Sequence, residues 1–420
     1  MKVTLDRAAL APVVTAAAAV APAKPDRPIL AMLRLEVLGD SVTVAATNAD
    51  LYLQEAIPLR DGAVVTEGAC CVEASLFARA VNAAPEGCEM TLSLSAAGRL
   101  SLTYSGGAFR YPTLPAEDYP AAFVEHHDAA EFTVTGTQLK ALLQRPLCCA
   151  PVEDIQRPHL AGVFLNVDRY GLLRGVATNV HTMAAVGEPP PGDLDAIPGD
   201  QIGDEAGTTG AIVPTRACQA IARAFGDAAE ITLRISASLI VAEGRDRRMA
   251  CKLVAGHYFD YHRSMPPRSG DGFAVDRGQL LDAVKQIDVF GQPDQNQKSS
   301  RTRAIVFYAL PKEAAAEDPD PDDGARDGQP NGEILLYSAR SGEASAQLTV
   351  PALISGSPDP FIAAGQYVAA LLAFLETDRV SIELSDMGLR FHGEETPDDL
   401  AGMAPMRLPI PPRPDIAEEA

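Results

Sequence analysis

Apolar residues along this chain first alternate and then recur at three- and four-residue steps, and that change of period happens repeatedly. In EFTVTGTQLKALL (131–143), Phe132 and Val134 share one face of a short strand, and Thr135 and Gly136 make a turn. Leu139, Leu142 and Leu143 then form the inward stripe of a helix. VTLDRAALAPVV (3–14) and FAVDRGQLLDAVKQI (273–287) carry the same pattern. In register, Leu5, Val134 and Val275 end the strands, and Asp6, Thr135 and Asp276 stand where a helix N-cap belongs. Leu10, Leu139 and Leu280 open the apolar stripes. The copies lie roughly 130 and 140 residues apart, a spacing of related domains and not of a short-period solenoid.

A second module follows each first one. It reads ACCVEASLFARAVNAAP, GAIVPTRACQAIARAFG and PFIAAGQYVAALLAFLE in the three thirds, each followed by alternating strands such as Ile231, Leu233, Ile235 and Val380, Ile382, Leu384. Six strand–helix–strands modules predict an α+β chain of three similar domains, each with two helices packed on antiparallel sheets. If the sheets run on from domain to domain, the helices line the inside of an arc, and open edges at its two ends invite a second copy. The expected divisions are 1–127, 128–268 and 269–410, with 411–420 a tail. The Pro/Gly/Asp-rich stretch 187–210 and the acidic stretch 311–332 read as disordered surface insertions.

Composition alters this picture in a few places. Tryptophan is absent and aromatics make up 5%, so burial rests on Ala, Val, Leu and Ile. A formal charge of −21 argues against a protein that grips nucleic acid by wrapping it in positive surface, although residues 311–333 and the terminal DIAEEA hold much of the excess. Seven cysteines, odd in number and without a CxxC, suit small buried hydrophobes better than disulfides or zinc. Lys2 and Arg7 ahead of an alanine-rich run imitate a signal peptide, but Asp6 and the two internal copies favour a strand and helix. No apolar run reaches the length of a membrane span, so no membrane partner is expected.

Several segments, in order and spacing, resemble one family. They are MKVTLDRAAL (1–10), KPDRPIL (24–30), FRYPTLPAEDYP (109–120), LAGVFLNV and VATNVHTMA within 160–184, KLVAGHYFDYHRSMP (252–266) and APMRL (404–408). The chain resembles the bacterial DNA polymerase III β subunit, the DNA sliding clamp, over all but the insertions and the last dozen residues. The resemblance implies half of a closed ring: a head-to-tail homodimer with its helices around a hole and duplex DNA threaded through it. A closed ring stays on DNA by topology, so weak and mobile phosphate contacts suffice and an acidic exterior is no obstacle. The DNA-facing cations would be Lys24, Arg27, Arg79, Lys140, Arg145, Arg157, Arg216, Arg223, Arg277 and Lys285, although each would also suit an ordinary solvated helix face. The final inner helix, GQYVAALLAFLE, has no cation.

The resemblance also implies a groove between the second and third domains for short Gln- and Leu/Phe-containing peptides of the polymerase III α subunit, the clamp-loader complex and other proteins with such a motif. Its walls would include Leu160, Thr178, His181, Met183, Phe259, Arg263, Tyr367, Pro405, Met406, Arg407 and Leu408, of which the aliphatic members could equally be core. Phe109 and Tyr111 would face Val289 and Phe290 across the dimer seam. The chain departs from the family where ATNVHTMA replaces ATDGHRLA, where Phe259 replaces a proline, Ala364 an asparagine and Ala404 a methionine, and where PIPPRPDIAEEA runs past Leu408. These departures predict an altered peptide preference, and they also suit a divergent copy serving one polymerase or sequestering partners without encircling DNA.

No catalytic, metal or cofactor constellation is expected. The seven histidines lack metal-ligand spacing, neither Walker A nor GxGxxG occurs, and a Cys149–His181 pair has no nucleophile motif around it. The predicted activity is that of a non-catalytic, cytoplasmic processivity factor.

Overall fold

The strand–helix copies fold as their periodicity requires. The structure, a computed structural model, describes residues 1–123, 128–192, 194–201, 209–290, 304–312, 329–339 and 345–414. Six helices come from the six modules: α1 (Arg7–Val20), α2 (Ala74–Ala83), α3 (Gly136–Gln144), α4 (Thr215–Phe225), α6 (Arg277–Phe290) and α7 (Gly365–Phe374). The one-turn helix α5 (Tyr261–Ser264) precedes the third copy. Helices pack as pairs, α1 with α2, α3 with α4 and α6 with α7. Leu10, Leu139 and Leu280, equivalent in the three copies, are each fully buried. Such a leucine contributes roughly 1.5–3 kcal/mol.

The first caps diverge in detail. Thr135 makes a reciprocal capping box, accepting from the Gln138 N–H at 3.2 Å while Gln138 Oε1 accepts from the Thr135 N–H at 3.1 Å. Asp276 accepts from the Gln279 N–H at 2.8 Å. Asp6 holds the N-cap position but makes no cap bond, because Arg60 takes its carboxylate.

Among the described residues all strand pairing is antiparallel, and two sheets run across lobe boundaries. An eight-stranded sheet starts at Ala130–Val134, passes Ile231–Ile235, Leu239–Glu243 and Arg247–Lys252, and continues into Leu51–Pro58, Ser41–Thr47, Met32–Leu38 and Gly68–Glu73 of the first lobe. The crossing pairs Arg247 with Glu55 and Cys251 with Leu51. A thirteen-stranded sheet crosses from Thr182–Glu188 to Leu400–Met403, with Thr182 opposite Met403 and Ala185 opposite Leu400. A five-stranded sheet ends at Gly107–Pro112, which among the described residues pairs on one side only, with Arg99–Tyr104. Gly175 is needed where α3 closes on the middle sheet: a Cβ there would stand 2.1 Å from the Leu142 carbonyl oxygen.

The stretch 187–210 is not wholly a surface excursion. Ile197 is fully buried, its carbonyl accepts from the Thr209 hydroxyl at 2.5 Å, and Asp200–Gln201 pairs with Thr209–Pro214. Ile197, with the partly buried Leu194 packed on the same core, folds this run back. Residues 202–208, most of the acidic stretch 311–332, the first domain division at 127 and the last six residues of the tail lie outside the described residues. Among the described residues, five of the seven cysteines are buried, all seven are free, and no helix is long and apolar enough to cross a membrane.

Candidate partner-binding groove and charged helix faces

The crossing of the second sheet into the third lobe leaves a cleft of about 340 Å³ beside it. The turn 178–182 forms one wall, Gly402, Met403 and Ala404 another, and Leu160, Phe259, Pro266 and Met387 complete an apolar lining. The turn is held by its own side chains. Thr178 Oγ1 donates to the Thr182 carbonyl at 2.7 Å and accepts from the Val180 N–H at 3.0 Å. Asn179 Oδ1 accepts from the His181 and Thr182 N–H groups at 3.0 and 2.8 Å. This Asx-type arrangement puts Val180 at φ +76°, a region β-branched residues avoid. The first lobe builds the same turn: Thr47, Asn48 and Leu51 repeat the bonds, and Ala49 takes φ +79°.

The last strand is tied to this turn by the Ala404 N–H, which donates to the His181 carbonyl at 2.9 Å, and the His181 ring stacks on Tyr367 at 5.9 Å. Of the residues expected in the groove, the structure brings Leu160, Thr178, His181, Met183 and Phe259 around one cleft, with Tyr367 reached through His181. The terminal motif behaves otherwise. After Ala404 the chain leaves the cleft: the Met406 N–H donates to the Ile362 carbonyl at 2.9 Å, and Met406 packs on Val306, Tyr308, Leu335 and Ile362. The Tyr308 hydroxyl then donates to the Pro411 carbonyl at 2.7 Å, laying the tail on the face of the last lobe. Pro405, Arg407 and Leu408 are exposed along this path, and Arg263 is exposed on α5, none of them lining the cleft. Val180, His159, Ser264, Pro266, Met387 and Met403 line it without having been expected to. Met387, an apolar residue 55% exposed in a hairpin turn, is the one a sequence reading could have marked.

The expected DNA-facing cations divide. Lys24, Arg27, Arg79, Lys140, Arg216, Arg223 and Lys285 are exposed, Arg216 in an ion pair with Glu153 at 2.5 Å. Arg157 is exposed too but lines the cleft, held by Asp154 at 3.1 Å. Arg145 is turned inward: it donates to the Phe374 carbonyl at 2.9 Å and pairs with Asp399 at 2.5 Å, because the end of α7 packs against its segment. Arg277 likewise spends its guanidinium on the Thr377 and Leu372 carbonyls. At the expected seam, Phe109 is exposed, whereas Tyr111 is buried edge-on against Phe77 because the alternation of its strand turns it beneath α2. Val289 and Phe290 end α6, and their side chains lie outside the described residues.

Buried charge concentrates at the junction of the middle and last lobes. Arg174 pairs with Asp168 at 2.7 Å, both almost wholly buried, and its second nitrogen donates to the Asp398 carbonyl. Arg145 grips the next residue, Asp399, whose pKa burial nonetheless raises above the ordinary carboxylate value, outweighing the arginine. His262 sits 3.7 Å from Asp168, too far for a hydrogen bond, and burial followed by the Arg169 charge lowers its pKa. A histidine depressed in the fold contributes stability that is complete above its unfolded value of about 6.5 and is lost as pH falls through it. Thermal melts should therefore drop between about pH 7 and 5, and His262→Gln should flatten that part of the profile. An unchanged slope in the variant would remove His262 from the cause.

Comparison with known proteins agrees with this architecture. Residues 1–123 match the family described as DNA polymerase III beta subunit, N-terminal domain. The beta sliding clamp of Vibrio cholerae is 23% identical over 97% of this chain and 100% of its own length, and that of Caulobacter vibrioides is 25% identical over 68% and 74%. A solved sliding clamp from Pseudomonas aeruginosa, bound to griselimycin, superposes with a TM-score of 0.81 at 23% identity, covering 97% of this chain and 100% of that one. With the same strand–helix unit in all three lobes and sheets that cross from lobe to lobe, the chain has the sliding-clamp fold, and its residues 1–123 match the N-terminal domain family of the DNA polymerase III beta subunit.

Proposed function

We propose that this protein is a processivity clamp: two copies close into a ring around duplex DNA, and the cleft between the middle and last lobes tethers polymerase, clamp loader and other partners through short peptides. The apolar cleft beside the sheet crossing carries the reading, since a preformed groove lined by Leu160, Met183, Phe259 and Met403 suits aliphatic peptide anchors. The exposed cations on α2, α3, α4 and α6 suit brief phosphate contacts, and the open edge at Gly107–Pro112 suits closure by a second chain. The three lobes are taken as 1–127, 128–268 and 269–410, and the role is non-catalytic and cytoplasmic.

Fluorescence anisotropy with a Gln- and Leu-containing clamp-binding peptide tests the groove, with griselimycin, the ligand of the P. aeruginosa structure, as a second probe. Phe259 is half-buried at the cleft, so Phe259→Ser should weaken peptide binding by roughly 30-fold, the effect of losing about 2 kcal/mol at an anchor. Equal affinity in both proteins, or none in the wild type, would defeat the groove reading.

A further inference from the structure

We propose that Val180 is a specificity-determining residue of the cleft, a rigid post that admits an aliphatic anchor of leucine size and disfavours an aromatic one. The inference rests on the reading of the cleft as a peptide groove and deepens it. Its starting point is a conflict. The turn 178–182 needs a left-handed backbone at its third place, and Val180 adopts it at φ +76° although its branched Cβ makes that conformation costly.

The turn does not require the isopropyl group. The first lobe closes the same hydrogen bonds around Ala49 at φ +79°. Nor does the core require it, for Val180 is 56% exposed and belongs to none of the buried clusters. What the side chain does reach is the cleft, whose lining it shares with Phe259, Met387 and Met403. The two methionines are flexible and can yield to a ligand. Val180 cannot: its χ1 is restricted by branching, and its backbone is pinned by the Thr178 and Asn179 bonds. The stiff side of the cleft therefore sets the width, and strain retained at an exposed position has a use in recognition.

The test measures two peptides, identical but for Leu or Phe at the apolar anchor, against wild type, Val180→Ala and Val180→Gly. Wild type should prefer the Leu peptide by roughly tenfold, the usual scale of discrimination by pocket size. Both variants should bring the ratio close to one by binding the Phe peptide more tightly. Val180→Ala copies the residue at Ala49, so its turn is one this fold already makes. A ratio unchanged in both variants while their melting temperatures rise would overturn the proposal, leaving Val180 as strain without selectivity. Failure of wild type to bind either peptide would instead strike the groove reading itself.

Discussion

Replacing Arg174 with alanine should destabilise the protein by roughly 3–5 kcal/mol, the usual result of removing one partner of a buried ion pair. Asp168 would keep its charge at a site with no solvent access, since its side chain is 0% exposed. Its carboxylate is also fixed in place by accepting the Tyr170 and Leu172 N–H groups at 2.9 and 3.0 Å. The loss extends beyond the middle lobe, as the other guanidinium nitrogen holds the Asp398 carbonyl of the last one. Arg174→Lys should rescue only part of it, because a single ammonium cannot reproduce a fork that serves two acceptors on different lobes. Denaturant unfolding checks both variants, and a loss under about 1 kcal/mol for the alanine would mean that water reaches Asp168 after all.

The second large effect is expected in the first lobe. Phe109→Arg should weaken self-association by roughly 30- to 1,000-fold, the range spanned by interface anchors worth about 2–4 kcal/mol. Phe109 lies on the strand Gly107–Pro112, whose outer edge has no partner among the described residues, and its ring touches Tyr104 at 6.2 Å outside the main core. The substitution should thus leave the melting temperature of the isolated chain nearly unchanged. Sedimentation velocity at micromolar concentration should give a dimer for wild type and a monomer for the variant. A dimer in both would exclude this strand from the seam.

Much of the fold was legible because its repeats are written in local periodicity. Leu10, Leu139 and Leu280 follow from spacing alone, and Thr135 with Gln138 announces its capping box three residues apart. What local periodicity does not carry is whatever a segment distant in sequence decides. Helical spacing places Arg145 at the end of an exposed face, but whether it meets solvent or Asp399 depends on a residue 254 positions away. Arg277 likewise depends on the Leu372 and Thr377 carbonyls, 95 and 100 positions away in its own lobe, and for Tyr111 alternation says which residues share a face without saying which face is covered. Pro405, Met406, Arg407 and Leu408 are expected in the cleft, whereas the backbone bond from Met406 to Ile362 turns the chain away after Ala404. The sequence does carry one further signal, since Thr47–Asn48 and Thr178–Asn179 spell the same turn twice.

The sheet crossings bear on how a ring of two such chains would part to admit a duplex. Flexing between lobes would shear a run of main-chain bonds at Arg247–Glu55 or Thr182–Met403, together with the arginine clamps beside them. In such a ring each chain would be a stiff strut whose compliance lies at its tips, and the gate for a duplex would lie at the contact between the two chains.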